Sequence, residues 1–251
     1  MNLRVMTFNL RMDTPEDGRN AWYYRKEHVA KTMKDAEPDI VGTQEGLHHM
    51  ITNLQAHLPA YGVIGEGRGG GNYDEYNAIF YKKERFTLVE HGQFWLSETP
   101  EVVGSSSWNS AYPRICTWGK FSHVEDSNQT FFIFNTHLDH ESQFARYNGI
   151  QLINSFIKPV LKKSVPTILM GDFNCELDNE VITHLEESNL ERAQTAGRTF
   201  HNFMGGSYGE PIDYIFFSDQ LQMIDAGVDQ RAFNGKFPSD HYPVIGNLEF
   251  N

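Results

Sequence analysis

The sequence predicts an α/β protein in which two mixed β-sheets pack face to face and are flanked by helices. Three observations carry this. Strand-like apolar segments outnumber helical ones, several of those strands follow one another directly, and helices separate others in a β-α-β pattern. With 251 residues, 39% of them hydrophobic, the chain can close one large domain burying roughly 70–75% of its unfolded surface. No repeat, low-complexity tract or long linker divides it, so residues 1–251 read as a single domain.

In chain order, residues 3–8 form an apolar strand that enters a polar loop at 9–20. Residues 22–35 place Trp22, His28, Val29, Thr32 and Met33 at helical spacing, and a strand follows at 39–43. Residues 46–58 align Leu47, Met50, Ile51, Leu54 and Leu58 on one helical face, ended by Pro59. Strands are then expected at 62–64, 77–81, 86–95 and 114–123. The stretches 67–73, with four glycines, and 97–113 are long loops, a setting that is usually functional or mobile. A strand at 130–135, a helix at 142–161 and a strand at 166–170 make a β-α-β unit. A short helix at 179–187 precedes strands at 212–217, 222–227 and 243–248.

Composition narrows the function. The net charge of −12, from 33 acidic and 21 basic residues, argues against a long nucleic acid as an easy partner, because such binding draws its affinity from neutralised phosphates. A local basic rim or a bound metal can still reverse the potential at one site. No segment approaches the roughly 20 apolar residues of a membrane span, so no membrane insertion is expected. The first residues lack the features of a secretory signal, which places the protein in the cytoplasm as an expectation. Cys116 and Cys175 are too few for a disulfide framework or structural zinc site and are expected to be buried free thiols.

The chemistry is written at strand ends. Asn9, Glu45, His137, Asp172 with Asn174, Asp213, and Asp240 with His241 all stand where an apolar strand meets a loop, and in layered α/β folds such ends converge on one crevice. Glu45, Asp172, Asp240 and the amide oxygen of Asn9 are hard oxygen ligands suited to Mg²⁺ or Mn²⁺. His137 and His241 can bind an anion or move a proton near neutral pH. Metal, carboxylates and histidines together describe metal-assisted hydrolysis of a phosphoester.

Six segments carry a resemblance: Thr-Phe-Asn-Leu at 7–10, Pro-Asp-Ile-Val-Gly-Thr-Gln-Glu at 38–45, Asn-Thr-His-Leu at 135–138, Gly-Asp-Phe-Asn at 171–174, Pro-Ile-Asp-Tyr-Ile-Phe at 211–216 and Ser-Asp-His-Tyr-Pro-Val at 239–244. In that order they resemble the endonuclease/exonuclease/phosphatase superfamily, in motif style its deadenylase and nocturnin branch. The resemblance implies a four-layered α/β sandwich and a set of roles. Glu45 is the principal metal ligand, with Asn9 and Asp240 at the same or a second metal position. Asp172 and Asn174 orient or deprotonate the attacking water and hold the phosphate, and Asp172 is also a candidate ligand. His241 contacts the scissile phosphate, with Asp213 fixing its tautomer. His137 stabilises developing charge or protonates the leaving oxygen, paired with Glu75. Arg114 binds a phosphate in bidentate fashion. The choice of general base between His241 and Asp172 stays open.

Residues beyond the motifs bear on substrate choice. His140 and Arg146 follow the His137 motif, and His201 precedes the Asp213 strand; all three are candidate substrate contacts. Trp22 or Tyr23, in a cluster with Tyr24 and Arg25, can stack on a base or sugar. Arg19, Asn20 and Arg68 are loop candidates. The glycine tract at 65–71 lacks the Lys-Ser/Thr of a nucleotide-binding loop and reads as a flexible loop without function.

The expected protein is thus a Mg²⁺-dependent phosphoester hydrolase, with Mn²⁺ as substitute. Its substrate is first a nucleotide or short single-stranded nucleic acid. The alternative is a phosphatase or phosphodiesterase acting on a sugar phosphate, inositol phosphate or phospholipid headgroup. A third reading is a non-catalytic protein that binds metal or phosphate. No obligate protein partner is evident.

Overall fold

The computed structural model describes residues 1–251 and arranges them as two six-stranded sheets. The first sheet has β1 (Asn2–Asn9) and β2 (Ile40–Gln44) at its centre, with α1 (Trp22–Ala36) crossing between them. After α2 (His48–His57), β3 (Tyr61–Ile64) and β4 (Ile79–Lys82) extend one side. The second sheet begins with β5 (Phe86–Trp95) and β6 (Ile115–His123). It continues through β7 (Thr130–His137), α3 (Gln143–Leu161) and β8 (Thr167–Asp172). Then α4 (Glu180–Glu186), β9 (Leu190–Arg192) and β10 (Asp213–Ser218) complete it, and β11 (Leu221–Val228) and β12 (Val244–Phe250) return to the first sheet. The strand orders are β11-β12-β1-β2-β4-β3 and β5-β6-β7-β8-β10-β9. Only β1/β2 and β7/β8 run parallel, so each sheet is mixed, as expected, around one β-α-β unit.

Three apolar clusters separate four layers. Leu3, Val5, Ile40, Phe131, Ile168, Met170 and Ile215 belong to the cluster between the sheets. Met6, Phe8, Val29, Met33 and Leu54 pack the first sheet against α1 and α2, and Phe134, Leu169, Ile150, Ile153 and Phe216 pack the second against α3 and α4. Strand alternation explains the division: odd residues of β1 face the other sheet while Met6 and Phe8 face the helices. Helix ends follow local chemistry. The Ser142 hydroxyl accepts from the Ala145 N–H at 3.1 Å to start α3, the Asn179 side chain accepts from the Val181 N–H at 3.0 Å to start α4, and left-handed Glu37 ends α1.

Toward one end of the sandwich the inter-sheet rows turn polar. The row Leu3-Val5 continues into Thr7 and Asn9, Phe131-Ile133 into Asn135 and His137, Ile168-Met170 into Asp172, and Phe217-Ile215 into Asp213. Gln44 Nε2 donates to Asn135 Oδ1 at 2.7 Å and to Thr7 Oγ1 at 3.1 Å, while Asn135 Nδ2 donates to the Thr43 and Ala78 carbonyls. This polar layer joins the sheets above the apolar core. It needs a glycine at position 42, where a Cβ would stand 2.8 Å from the Asn135 side chain and 2.9 Å from Met170 Sδ.

The expected elements are found with ends shifted by one or two residues. Two were not foreseen: a 3₁₀ helix at Pro15–Asn20, inside the expected polar loop, and the three-residue β9. Cys116 and Cys175 are buried free thiols. No helix is long and apolar enough to cross a membrane.

Candidate active site

Strand register assembles the site. His137 ends β7 opposite Asp172 at the end of parallel β8, and Asp172 faces Asp213 at the start of antiparallel β10. In the other sheet Asn9 ends β1 opposite Gln44, and Glu45 follows with φ 61°. That left-handed backbone, costly for a residue with a Cβ, brings the Glu45 carboxylate back to Asn9. Asn9 Nδ2 donates to Glu45 Oε1 and to Asp172 Oδ2, both at 2.9 Å, so one amide joins carboxylates from opposite sheets. Its oxygen accepts from the Arg11 N–H at 2.9 Å and is turned from those carboxylates, unlike the amide-oxygen ligand expected from the sequence.

His241 closes the other side. Its Nδ1 lies 2.9 Å from Asp213 Oδ2 and its Nε2 3.8 Å from Asp172 Oδ2. Burial disfavours the imidazolium, but Asp213, Asp172 and Asp240 outweigh it and hold His241 well above its usual range. Burial and the nearby Asp213 push Asp172 up to about 7. Burial also raises Asp240, with Glu45 adding to it. His137 is held neutral, by burial first and then by Arg114 and His241. The Asn174 amide donates to His137 Nε2 at 2.9 Å and to the Leu138 carbonyl at 3.0 Å, which assigns the ring proton to Nδ1, a buried atom without a partner. The Asn174 N–H donates to Asp172 Oδ1 at 2.9 Å across a left-handed turn at Asn174.

A cleft of about 400 Å³ opens over these groups, lined by Glu45, Asp172, Asn174, Asp240, His137 and His241. Arg11, Arg68 and Arg114 give it cationic walls, His140 lines it beside Arg114, and Tyr112 and Phe200 are exposed aromatics on it. Arg68 Nη2 pairs with Glu75 Oε1 at 3.0 Å. Arg114 lies 3.5 Å from Asp139 Oδ2 and 2.9 Å from His140 Nδ1. The Tyr112 ring stacks with His140 and carries Arg68 4.9 Å from its centre.

Several expectations are corrected. Glu75 bonds Arg68, not His137, and burial pushes it to about 7. Arg146 is absent from the cleft lining because its guanidinium is spent on the Asp139 carbonyl and Gln143. His201 is stacked on Tyr242 at 3.9 Å, and its N–H donates to the Asp240 carbonyl at 2.8 Å; it supports the Asp240–His241 turn without lining the cleft. Trp22 is buried, with its indole N–H on Asn53. The glycine tract is a hydrogen-bonded turn in which the Arg68 N–H donates to the Glu75 carbonyl at 2.8 Å, so it delivers Arg68 to the cleft. Arg11 and Tyr112 escaped the sequence reading, since neither stands in a motif and only tertiary packing brings them in.

The donor set suits a divalent cation. Glu45, His137 and Asp172 each bring a ligand atom within 4.8 Å of the others, with Asp240 on the same cleft. The carboxylates are hard oxygen donors; burial first, with Asp213 beside Asp172 and Glu45 beside Asp240 adding to it, has raised both. A second group, Asp172, Asp213 and His241, is already closed by the His241–Asp213 bond.

Fold and cleft together define a carboxylate- and histidine-based hydrolase working at the junction of two sheets. Comparison with known proteins agrees: the chain belongs to the Endonuclease/Exonuclease/phosphatase family, whose model matches residues 6–241. Among solved structures it is similar to an endonuclease/exonuclease/phosphatase family protein of Bacteroides thetaiotaomicron, with TM-score 0.93 and 33% identity, covering 100% of this chain and 98% of that one. It is also similar to the mannosyl-6-phosphatase of that organism, with TM-score 0.92 and 33% identity, covering 99% and 100%. Among curated proteins, nocturnin of Mus musculus is 22% identical over 99% of this chain and 66% of its own length. The CCR4-Not complex 3'-5'-exoribonuclease subunit Ccr4 of Kluyveromyces lactis is 22% identical over 92% of this chain and 38% of its own. The chain thus spans less than two thirds of the length of either curated relative.

Proposed function

We propose that this protein is a Mg²⁺-dependent phosphatase of phosphorylated sugars, with Mn²⁺ as substitute. The observation that carries it is the pair of buried arginines, Arg68 and Arg114, on a cleft of about 400 Å³ that also holds the carboxylates. That space suits a small phosphomonoester, and two guanidinium groups suit a terminal phosphate dianion. The 33% identity to a mannosyl-6-phosphatase, over the full length of both chains, supports the sugar. The net charge of −12 weighs against a polyanion.

Glu45 and Asp172 would hold the cation, with Asp240 beside them, while the Asn9 amide fixes the spacing of the first two. When bound, the ion supplies positive charge to the reacting phosphoryl group and acidifies a water molecule. Arg114 and Arg68 bind the phosphate oxygens. His241, held cationic and oriented by Asp213, contacts the phosphoryl group and stabilises the charge that develops on it. Asp172, held by the Asn9 amide and 3.8 Å from His241 Nε2, orients the attacking water and takes its proton. His137 is neutral in this environment and its Nε2 accepts from the Asn174 amide, so it orders the Asp172–Asn174 turn and does not act as a general acid.

A second reading retains the nucleotide or short single-stranded nucleic acid. It is favoured by the Tyr112 and Phe200 rings, 50% and 43% exposed on the cleft, where a base can stack.

The test is turnover by the purified protein of mannose 6-phosphate, glucose 6-phosphate, NADPH and a short oligoadenylate, each with Mg²⁺, Mn²⁺ or chelator. Chelator-sensitive release of phosphate from the sugars, lost in Glu45→Ala and His241→Ala, is expected. Faster cleavage of NADPH or the oligonucleotide overturns the sugar assignment in favour of the second reading.

A further inference from the structure

Arg25, in the first turns of α1, is the largest fully buried side chain, with 2% exposure and no carboxylate partner. Its guanidinium donates only to backbone carbonyls, and these come from separate stretches of chain. Nε donates to the Asn20 carbonyl at 2.6 Å, Nη1 to Leu10 and, at 3.1 Å, to Pro238, and Nη2 to Arg11 at 2.5 Å. The rings of Trp22 and Phe203 lie 5.4 and 5.6 Å from its central carbon. Burial lowers Arg25 to about 10, which leaves it charged at neutral pH, facing the field of Asp240, Asp17 and Glu45.

The segments it joins are those that carry one side of the metal-fit cleft. Leu10 and Arg11 directly follow Asn9, and Pro238 precedes Ser239, whose hydroxyl donates to the Asn9 carbonyl at 2.7 Å. Phe203 belongs to the 200–205 turn, where the His201 and Asn202 N–H groups both donate to the Asp240 carbonyl. Residues 202 and 203 hold left-handed backbones, a strained turn that persists only when its surroundings impose it. A single planar fork thus ties the exit of β1, the 3₁₀ helix, the Asp240 turn and the 200–205 turn into one unit.

We infer that Arg25 is a positioning residue for the cation site: by clasping four chain segments it sets Asn9 and Asp240 against Glu45 and Asp172. The inference rests on the proposed cation position. Charge alone does not meet the requirement, because the ammonium of a lysine cannot present the guanidinium's fork to carbonyls on opposite sides.

The experiment measures Mn²⁺ affinity by calorimetry or water-proton relaxation, together with circular dichroism and hydrolysis of the monoester p-nitrophenyl phosphate. It compares the wild-type chain with Arg25→Lys, Arg25→Ala and the milder Phe203→Leu. Folded Arg25→Lys is expected to bind Mn²⁺ roughly tenfold or more weakly, the size typical for groups that orient ligands. Its kcat at saturating Mn²⁺ is expected to fall while KM for the ester stays within about twofold, and Phe203→Leu should lie between it and wild type. Methylguanidinium, but not methylammonium, is expected to restore Mn²⁺ affinity to Arg25→Ala. Wild-type Mn²⁺ affinity and kcat in Arg25→Lys, or in Phe203→Leu should the Arg25 variants not fold, overturn the clasp. A wild-type chain that binds no Mn²⁺ overturns the cation position and the clasp with it.

Discussion

Asp172 and Asp213 are register partners on neighbouring antiparallel strands, so two buried carboxylates point to the same face of one sheet, and the ring of His241 stands between them. One cation cannot satisfy both aspartates fully. Asp213 takes the hydrogen bond to Nδ1, and Asp172 carries the excess charge that makes it a proton acceptor.

That triangle sets the pH dependence of metal-free stability. The folded state holds a proton on His241 above the pH at which the unfolded chain releases it, so stability falls as pH rises from about 6.5 toward the raised folded value. Below 6.5, raised Asp172, Asp240 and Glu75 favour the fold as pH falls, while lowered His137 and His201 oppose it. Thermal melts in chelator should therefore show Tm falling between pH 7 and 9. Asp213→Asn should flatten that slope, and an unchanged slope would refute the assignment.

Asp172→Asn separates chemistry from stability. It removes the proton acceptor, and a loss of kcat of about 100-fold or more is expected. It also removes a buried charge beside Asp213, so the metal-free Tm at pH 8 should hold or rise. A folded variant with near-normal turnover would exclude the proposed base.

Arg114→Met addresses phosphate binding. The variant removes a guanidinium from the cleft wall and is expected to raise KM for a phosphomonoester tenfold or more with a smaller change in kcat. Steady-state kinetics on a monoester and a diester would show it, and equal effects on both would argue against a terminal-phosphate site.

The polar layer beneath the cleft is open to a stability test. Asn135→Leu strips partners from Gln44 Nε2 and from the buried carbonyls of Thr43 and Ala78. Gln44 Nε2 keeps its bond to Thr7 and the Ala78 carbonyl its bond from the Thr43 N–H, so the loss is that of three buried hydrogen bonds at about 0.5–1.5 kcal/mol each, and urea unfolding should show a loss of about 2 kcal/mol or more.

Gly171 approaches β7 more closely than any side chain permits. Its φ is 154°, and a Cβ there would stand 2.0 Å from the Thr136 carbonyl oxygen. Gly171→Ala should force the strands apart beside Asp172 and lower both Tm and turnover; a variant matching wild type in both would contradict this packing.

Much of this architecture was legible in the chain itself. Apolar runs at residues 3–8 and 130–135 marked two of the central strands, and the polar residues that follow each run marked the site, because strand ends are where a buried run meets the cleft. What escaped depends on distance in sequence. β9 is three residues long and is a strand only because it pairs with β10. Arg68 stands in the sequence only as one of three loop candidates and Arg25 only as the end of an aromatic cluster, and contacts with Glu75, Leu10 and Pro238 give them their places. Arg146 and His201 stood near motifs, yet local hydrogen bonds and stacking claim them first. The resemblance pairs Glu75 with His137, and its bond to Arg68 instead is made by a turn that only the folded 67–75 segment shows.

The division between strand ends and rim loops has an evolutionary consequence. Asn9, His137, Asp172 and Asp213 are fixed by sheet register, whereas Arg68, Tyr112 and Phe200 ride on connections outside the sheets. Recombination or drift in those connections can exchange one substrate for another while the reacting groups keep their places. One scaffold can therefore diversify into relatives as unlike as an exoribonuclease subunit and a mannosyl-6-phosphatase.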